Sequence, residues 1–321
     1  MLDWLLLPDK EDKLRLCLKV TITKSRFYVH QTTDGRFLKR VGSHRSPIPA
    51  EQLGRLLAAR SLLVPFEERP VLNASINDID IERFRSYYQR RFGATPEERG
   101  LPIPQLLANF KLALKDEDGH WHPTNLGTLL FSEQPNKWLD GAFIDIAAYT
   151  GTKADGNTAD ARRIYGPIPE QIEQALFYFK TSPLLATVST KDEMGRVDRP
   201  AYSPLALQEA IVNALVHRDY ELIGSQVRIF IFSDRIEFWN PGILHNSLSV
   251  EDLYAGCQPV RRNQLLAGFL GDFESPVTGR SYMEARGEGF LTLIRNSELL
   301  SNRRPEFKIQ GQAICLTIFA A

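Results

Sequence analysis

PLALQEAIVNALVHRDY, residues 204–220, decides the reading of this chain. Pro204 stands where a first helical turn tolerates a residue without an N–H. Behind it Glu209, Asn213 and His217 recur at intervals of four, so they lie along one stripe of a helix. Leu207, Ala210, Ile211, Ala214 and Leu215 flank that stripe with apolar surface. A polar stripe in so apolar a helix must face solvent, pair internally or line a ligand site.

Working outward toward the C-terminus, residues 226–232 (QVRIFIF) and 235–239 (RIEFW) read as two strands joined across Ser233-Asp234. The hairpin ends in Asn240-Pro241-Gly242, which puts a polar side chain and a tight turn at a strand end. After a long irregular stretch come Arg286-Gly287-Glu288-Gly289 and then a helix over Phe290–Arg295. Glycines at a helix start let backbone N–H groups approach phosphates, and the helix dipole favours the anion. One glycine pair before a helix is most often only a turn. The order of helix, hairpin and glycine turn is what carries specificity.

In that order the segments resemble the GHKL ATPase superfamily of gyrase, MutL, histidine kinases and the large heat-shock chaperone. The runs 209–220 (EAIVNALVHRDY) and 236–242 (IEFWNPG), with Arg261-Arg262-Asn263 and Glu284-x-x-Gly287-x-Gly289, resemble its RecG-like helicase or transcriptional-regulator branch. The resemblance implies a C-terminal α/β sandwich that holds ATP and Mg²⁺. Asn213 would ligate Mg²⁺ through its side-chain oxygen, the metal bridging the phosphates. Glu209 would position or deprotonate the attacking water. Asn240 falls where the superfamily has an adenine-reading Asp. An amide carbonyl accepts the same hydrogen bond without the charge. Gly242 would admit the adenine, Gly287 and Gly289 would cradle phosphates, and residues 243–286 would form a lid in which Arg262 touches phosphate. The chain has no Gly-x-x-x-x-Gly-Lys-Ser/Thr phosphate loop, so the helicase label does not carry over.

Upstream, residues 14–45 read as strands, with Leu16, Leu18, Val20 and Ile22 alternating, and Phe27 and Val29 opposite Phe37 and Val41 across an Asp34-Gly35 turn. Residues 50–60 read as a helix carrying Leu53, Leu56 and Leu57. The run 36–43 (RFLKRVGS) resembles the end of the Schlafen/AlbA-like domain that precedes this ATPase in relatives. Its opening acidic and Gly-Gly segments are missing, which implies a truncated piece, a remnant or one completed by another chain. Asp78 and Asp80 are candidate N-caps for a helix bearing Ile81, Phe84, Tyr88 and Phe92. A second helix over 104–114 and a short strand pair around Trp121 and Leu129–Phe131 give a winged-helix outline. The basic and aromatic residues Arg83, Arg85, Tyr87, Tyr88, Arg90 and Arg91 read as a solvated face in preference to a nucleic-acid patch. Residues 142–149 read as a mostly buried strand, 151–160 as a loop and 170–179 as a helix.

The resulting expectation is an α+β protein in three parts: a β-rich piece at 1–65, a helical winged-helix-like segment at 66–135 and a GHKL-type domain at 136–321. Lys plus Arg equal Asp plus Glu at 39 each, so global charge does not single out nucleic acid. Cys17, Cys257 and Cys315 are too scattered for a disulfide scaffold or zinc site, which fits a reducing, cytoplasmic setting. No apolar run suits a membrane span. The expected function is slow Mg-ATP turnover used as a conformational switch in DNA-linked regulation, with DNA or RNA, a second copy or another chain as partner. Two rivals stand beside it: a nucleic-acid-binding regulator with a structural nucleotide, and a protein-interaction module with a degenerate ATP site.

Overall fold

A computed structural model describes residues 2–8, 13–20, 31–50, 52–53, 64–154, 158–185, 188–192, 195–244, 249–255, 261–283 and 289–321. The chain divides into two compact units, Met1–Pro65 and Phe66–Ala321.

In the smaller unit β1 (Leu2–Pro8) and β2 (Leu14–Val20) form an antiparallel pair, with Leu6 opposite Leu16 and Leu5 opposite Cys17. Leu14, Leu16, Leu18 and Val20 remain exposed. A second hairpin joins β3 (Leu38–Val41) to β4 (His44–Pro47) through Gly42 at φ +60°. The expected Asp34-Gly35 turn is present, closed by the Gly35 N–H on the Thr32 carbonyl. Its partner strand around Phe27 and Val29 and most of the helix expected at 50–60 lie outside the described residues.

The larger unit opens with helices. Asp80 caps α1 (Ile81–Phe92) by accepting the Arg83 N–H, and Gly93 ends it in a left-handed conformation at φ 66°. Asp78 instead closes the capping box of the preceding short turn at Ser75. Phe84, Tyr87 and Tyr88 turn α1 into the core. α2 (Ile103–Asn109) follows, then the strand pair β5 (Ala113–Lys115) and β6 (Trp121–Pro123). The expected strand at Leu129–Phe131 is a helix instead, α3 (Asn125–Phe131). Thr124 caps it by accepting the Gly127 N–H at 3.1 Å, and all seven of its residues are buried. An unbroken apolar run of this length suits a buried helix as well as a buried strand, and the cap decides.

Behind these helices lies a six-stranded mixed sheet in the order β13-β14-β12-β11-β7-β8. Its strands are β7 (Ile144–Tyr149), β8 (Thr158–Ile164), β11 (Val227–Ile231), β12 (Arg235–Pro241), β13 (Glu306–Gln310) and β14 (Ala313–Phe319). Only β7 and β11 pair in parallel. β8 falls partly in the stretch expected as a loop. The first six of its seven residues are exposed, so it has no apolar alternation to reveal it. Between β8 and β11 come α4 (Ile168–Thr181), the pair β9 (Val188–Asp192) and β10 (Gly195–Arg199), and α5 (Pro204–His217). After β12 come α6 (Val250–Tyr254), α7 (Gln264–Leu270) and α8 (Gly289–Ser301).

Strand periodicity sends Ile144, Ile146 and Ala148 of β7, Val227, Ile229 and Ile231 of β11, and Ile236 and Phe238 of β12 to one buried face. α5 packs on β12 and is flanked by α4 and α8. β7 is the strand expected at 142–149 and is mostly buried as expected, with fully buried and half-buried residues alternating along it.

Candidate functional site

The site is built along α5. Ser203 caps the helix by accepting the Ala206 N–H at 3.4 Å, with Pro204 in the first turn. From Ala206 to Val216 every residue is buried except Glu209 and Asn213. Glu209 and Asn213 of the stripe foreseen in the sequence are thus the one opening in the helix between Ala206 and Val216. Two of the stripe's three members, the half-buried His217 aside, pair internally: Asn213 Nδ2 donates to Glu209 Oε1 at 2.7 Å. Because a carboxylate only accepts, the amide must use its N–H here, and its carbonyl oxygen is left for another partner.

Gly289, at the start of α8, faces the same carboxylate. A Cβ there would fall 2.0 Å from Glu209 Oε1 and 2.4 Å from Glu209 Cδ, so any side chain at this position would push the carboxylate aside. The structure thus brings Glu209, Asn213 and Gly289 together. Gly287 lies outside the described residues.

A second group forms where α5 ends. The Asp219 N–H donates to the Pro241 carbonyl at 2.8 Å, which ties the helix end to the end of β12. Gly242 has φ +112°, and a Cβ on it would sit 2.9 Å from Asp219 Cβ. Arg262 donates through Nη1 to Asp219 Oδ2 at 2.9 Å and through Nη2 to the Ile243 carbonyl at 2.7 Å. Gly242 and Arg262 therefore meet on Asp219. Asn263 is buried and donates Nδ2 to the carbonyls of Val216 at 2.8 Å and Arg218 at 2.9 Å, closing the orphan acceptors at the C-terminus of α5.

Asn240 stands two residues before Gly242, paired with Ile314 across to β14. It is only 8% exposed, and its Oδ1 is a buried acceptor with no hydrogen-bond partner among the described residues. Native proteins rarely leave such an atom unpaired, because its lost hydration is not recovered. The atom marks a place where a donor fits.

Beneath the helix end Arg218 is 1% exposed, lies over the Tyr220 ring at 4.4 Å, and donates Nη2 to the Asp140 and Ser225 carbonyls. Burial holds its guanidinium below the ordinary arginine value. Glu67, also buried, accepts the Leu265 and Leu266 N–H groups at 3.1 and 2.6 Å and so caps α7 from a distant segment. Loss of hydration raises its carboxyl pKa. Sequence reading missed Glu67 because no local pattern announces a cap supplied from across the fold.

The arginines of α1 are spent on neighbouring acids and rings. Arg83 pairs with Asp80 and Glu170, Arg85 with Glu82 and Glu97, and Arg91 with Asp272, while Arg90 lies over Phe273. Tyr87 and Tyr88 are buried. Among the described residues no helix is long and apolar enough to cross a membrane. No group of three or more His, Cys, Asp or Glu among them is placed to hold a metal.

Residues 224–318 match a family model described as "Putative ATP-dependent DNA helicase recG C-terminal". The match contains Asn240, Gly242, Arg262, Gly287 and Gly289 and begins after α5, so Glu209 and Asn213 precede it. No curated protein matches the chain. Among solved structures the chain is similar to the DIP2311 protein from Corynebacterium diphtheriae, with a TM-score of 0.58 and 17% identity. That similarity covers 100% of this chain and 59% of the other, so the chain spans less than two thirds of its structural neighbour. At this identity the likeness is one of fold. The C-terminal part of the chain is thus similar in sequence to an ATPase-like family, on an α+β body with a mixed six-stranded sheet.

Proposed function

We propose that the larger unit binds Mg-ATP between α5, the end of β12 and the start of α8, and hydrolyses it slowly as a conformational switch. The observation that carries this reading is the orphaned Asn240 Oδ1, a buried acceptor on the strand end where the adenine amino group needs one. Gly242 leaves the backbone bare beside it, and Gly289 lets the Glu209 carboxylate lie against the start of α8.

The residues present fit the cofactor. Asn213 would hold Mg²⁺ through the oxygen it does not spend on Glu209, and Gly287 and Gly289 would present backbone N–H groups to phosphate. Mg²⁺ keeps most of its waters, so one protein oxygen together with phosphates suffices. Bound there, it would neutralise phosphate charge. Glu209 is the base of the site: its carboxylate accepts a proton from water, and Asn213 fixes the orientation of Oε1. Arg262 is held by Asp219 and Ile243, and turning to phosphate would cost it those bonds. A lid at 243–286 that exchanges them for phosphate contacts would shift with nucleotide by its differential affinity for the two states.

The family description names a DNA helicase, and DNA-linked regulation is the setting we infer for the switch. The paired arginines of α1 lend no support to that helix as a DNA surface, so a nucleic-acid contact would lie elsewhere. Steady-state phosphate release by the full chain tests the enzymatic part. Glu209→Gln should abolish release while ATP still binds. Release undiminished in that variant would remove Glu209 from the mechanism.

A further inference from the structure

On the face of the sheet away from α5 there is a groove of about 600 Å³, the size of a site for a drug-sized molecule. Its floor is Phe230 of β11 and Trp239 of β12, rings at 63° with centroids 6.5 Å apart. One wall is the loop bearing Leu222 and Ile223, and Ile223 is 86% exposed. That loop is held from within the fold. Buried Arg218 donates to the Ser225 carbonyl at 2.6 Å, and the Gly224 N–H donates to Asp140 Oδ2 at 2.5 Å.

The charges in and around the groove decide what it takes. Arg228 lines it and is exposed, and its guanidinium has no salt bridge or hydrogen-bond partner among the described residues. Glu221, the acid on the rim, is engaged by Arg69 at 2.5 Å. Asp145, next to Arg228 across the β11–β7 register, is engaged by Arg163 at 3.7 Å and by Gln226 Nε2 at 3.3 Å. Other cations on this face are already paired: Arg235 with Glu237 and Asp234, Lys308 with Glu306. A polynucleotide needs a track of free cations to displace its counterions. One unpaired guanidinium beside two aromatic rings fits a single anionic group on a flat apolar body.

We infer that this groove is a second ligand site, distinct from the nucleotide site, for a small planar aromatic anion such as an aromatic carboxylate or sulfonate. The aromatic body stacks on one of the two rings and meets the other edge-on, as their 63° angle dictates, and Arg228 takes the anionic group. The site does not depend on ATP binding.

The test is a fluorescence titration of the full chain with 8-anilinonaphthalene-1-sulfonate and with its uncharged analogue N-phenyl-1-naphthylamine. The anionic dye should bind with saturable one-to-one stoichiometry and more tightly than the neutral one. Arg228→Gln, a change on an exposed position, should weaken the anion roughly tenfold and leave the neutral dye within about twofold, since only a charge-assisted contact is lost. Trp239→Ala should weaken both. Should Trp239→Ala fail to fold, the Arg228 comparison decides alone. Absence of saturable binding to the wild type, or an Arg228→Gln variant that binds the anion as the wild type does, overturns the proposal. The second result would place the dye on another apolar surface, such as the exposed leucines of β2.

Discussion

Asn240→Leu separates stability from binding at a single position. The Oδ1 of Asn240 is buried without a partner among the described residues, and such an atom costs about 1–3 kcal/mol in lost hydration. Leucine has the same branched shape and number of side-chain heavy atoms, is bulkier by its two methyl groups and carries no polar atom, and β12 sends this position into a helix-covered face. Removing the orphan should therefore stabilise the free protein by about 1 kcal/mol after allowance for imperfect packing. For a unit of this size that is a rise in Tm of about 2–4 °C. In the complex the same change leaves the adenine amino group facing a methyl, which costs about 1–3 kcal/mol. At 1.4 kcal/mol per tenfold, Kd for ATP should weaken roughly 5- to 150-fold. The assay is thermal melting without nucleotide, followed by calorimetry with Mg-ATP and with the inosine analogue, which lacks the amino group. Wild type should prefer ATP and the variant should not discriminate. A variant that melts several degrees lower and binds ATP with unchanged affinity would refute both halves of the reasoning.

Other substitutions probe the same frame. Gly127→Ala should destabilise the larger unit by about 3 kcal/mol or more, read by denaturant unfolding, because its Cβ would meet the Leu112 carbonyl oxygen at 2.1 Å in fixed backbone. Gly289→Ala meets only the movable end of Glu209, so it should melt within about 1 kcal/mol of wild type while displacing that carboxylate from Asn213 and cutting phosphate release at least tenfold. Glu67 gives a pH signature. Its folded pKa is raised above the ordinary 4.5 by burial, so the folded state holds the proton more tightly than the unfolded state. Stability contributed by the protonated group is present below pH 4.5 and declines as pH rises through the folded value. Urea unfolding across that window should show the decline, and Glu67→Gln should flatten it.

The stripe on α5 was legible because a four-residue interval of polar side chains in an apolar helix has one geometric meaning, and burial left those positions open. The β11–β12 hairpin was legible because alternation and a two-residue turn reinforce each other. Leu129–Phe131 misled because a short apolar run has no period of its own, and the Thr124 cap that makes it a helix is one residue type among many. β8 was hidden because a solvent-facing edge strand need not alternate. The roles of Asn263 and Glu67 could not be read at all. Both side chains satisfy helix ends far away in sequence, and such partners are fixed only by the fold. Arg262 and Gly242 were singled out for nucleotide, yet their meeting point, Asp219, emerged only when the end of α5 was placed against the end of β12.

The central claim is that Asn213 and Glu209 of α5 belong to a nucleotide site. Calorimetric titration of Mg-ATP into the full chain, beside Asn213→Ala, tests it most directly. One-to-one binding to the wild type that is lost in the variant, with both proteins melting cooperatively, is the predicted result. A folded wild type that takes up no heat-detectable ATP, or an Asn213→Ala variant that binds as tightly as the wild type, would contradict it.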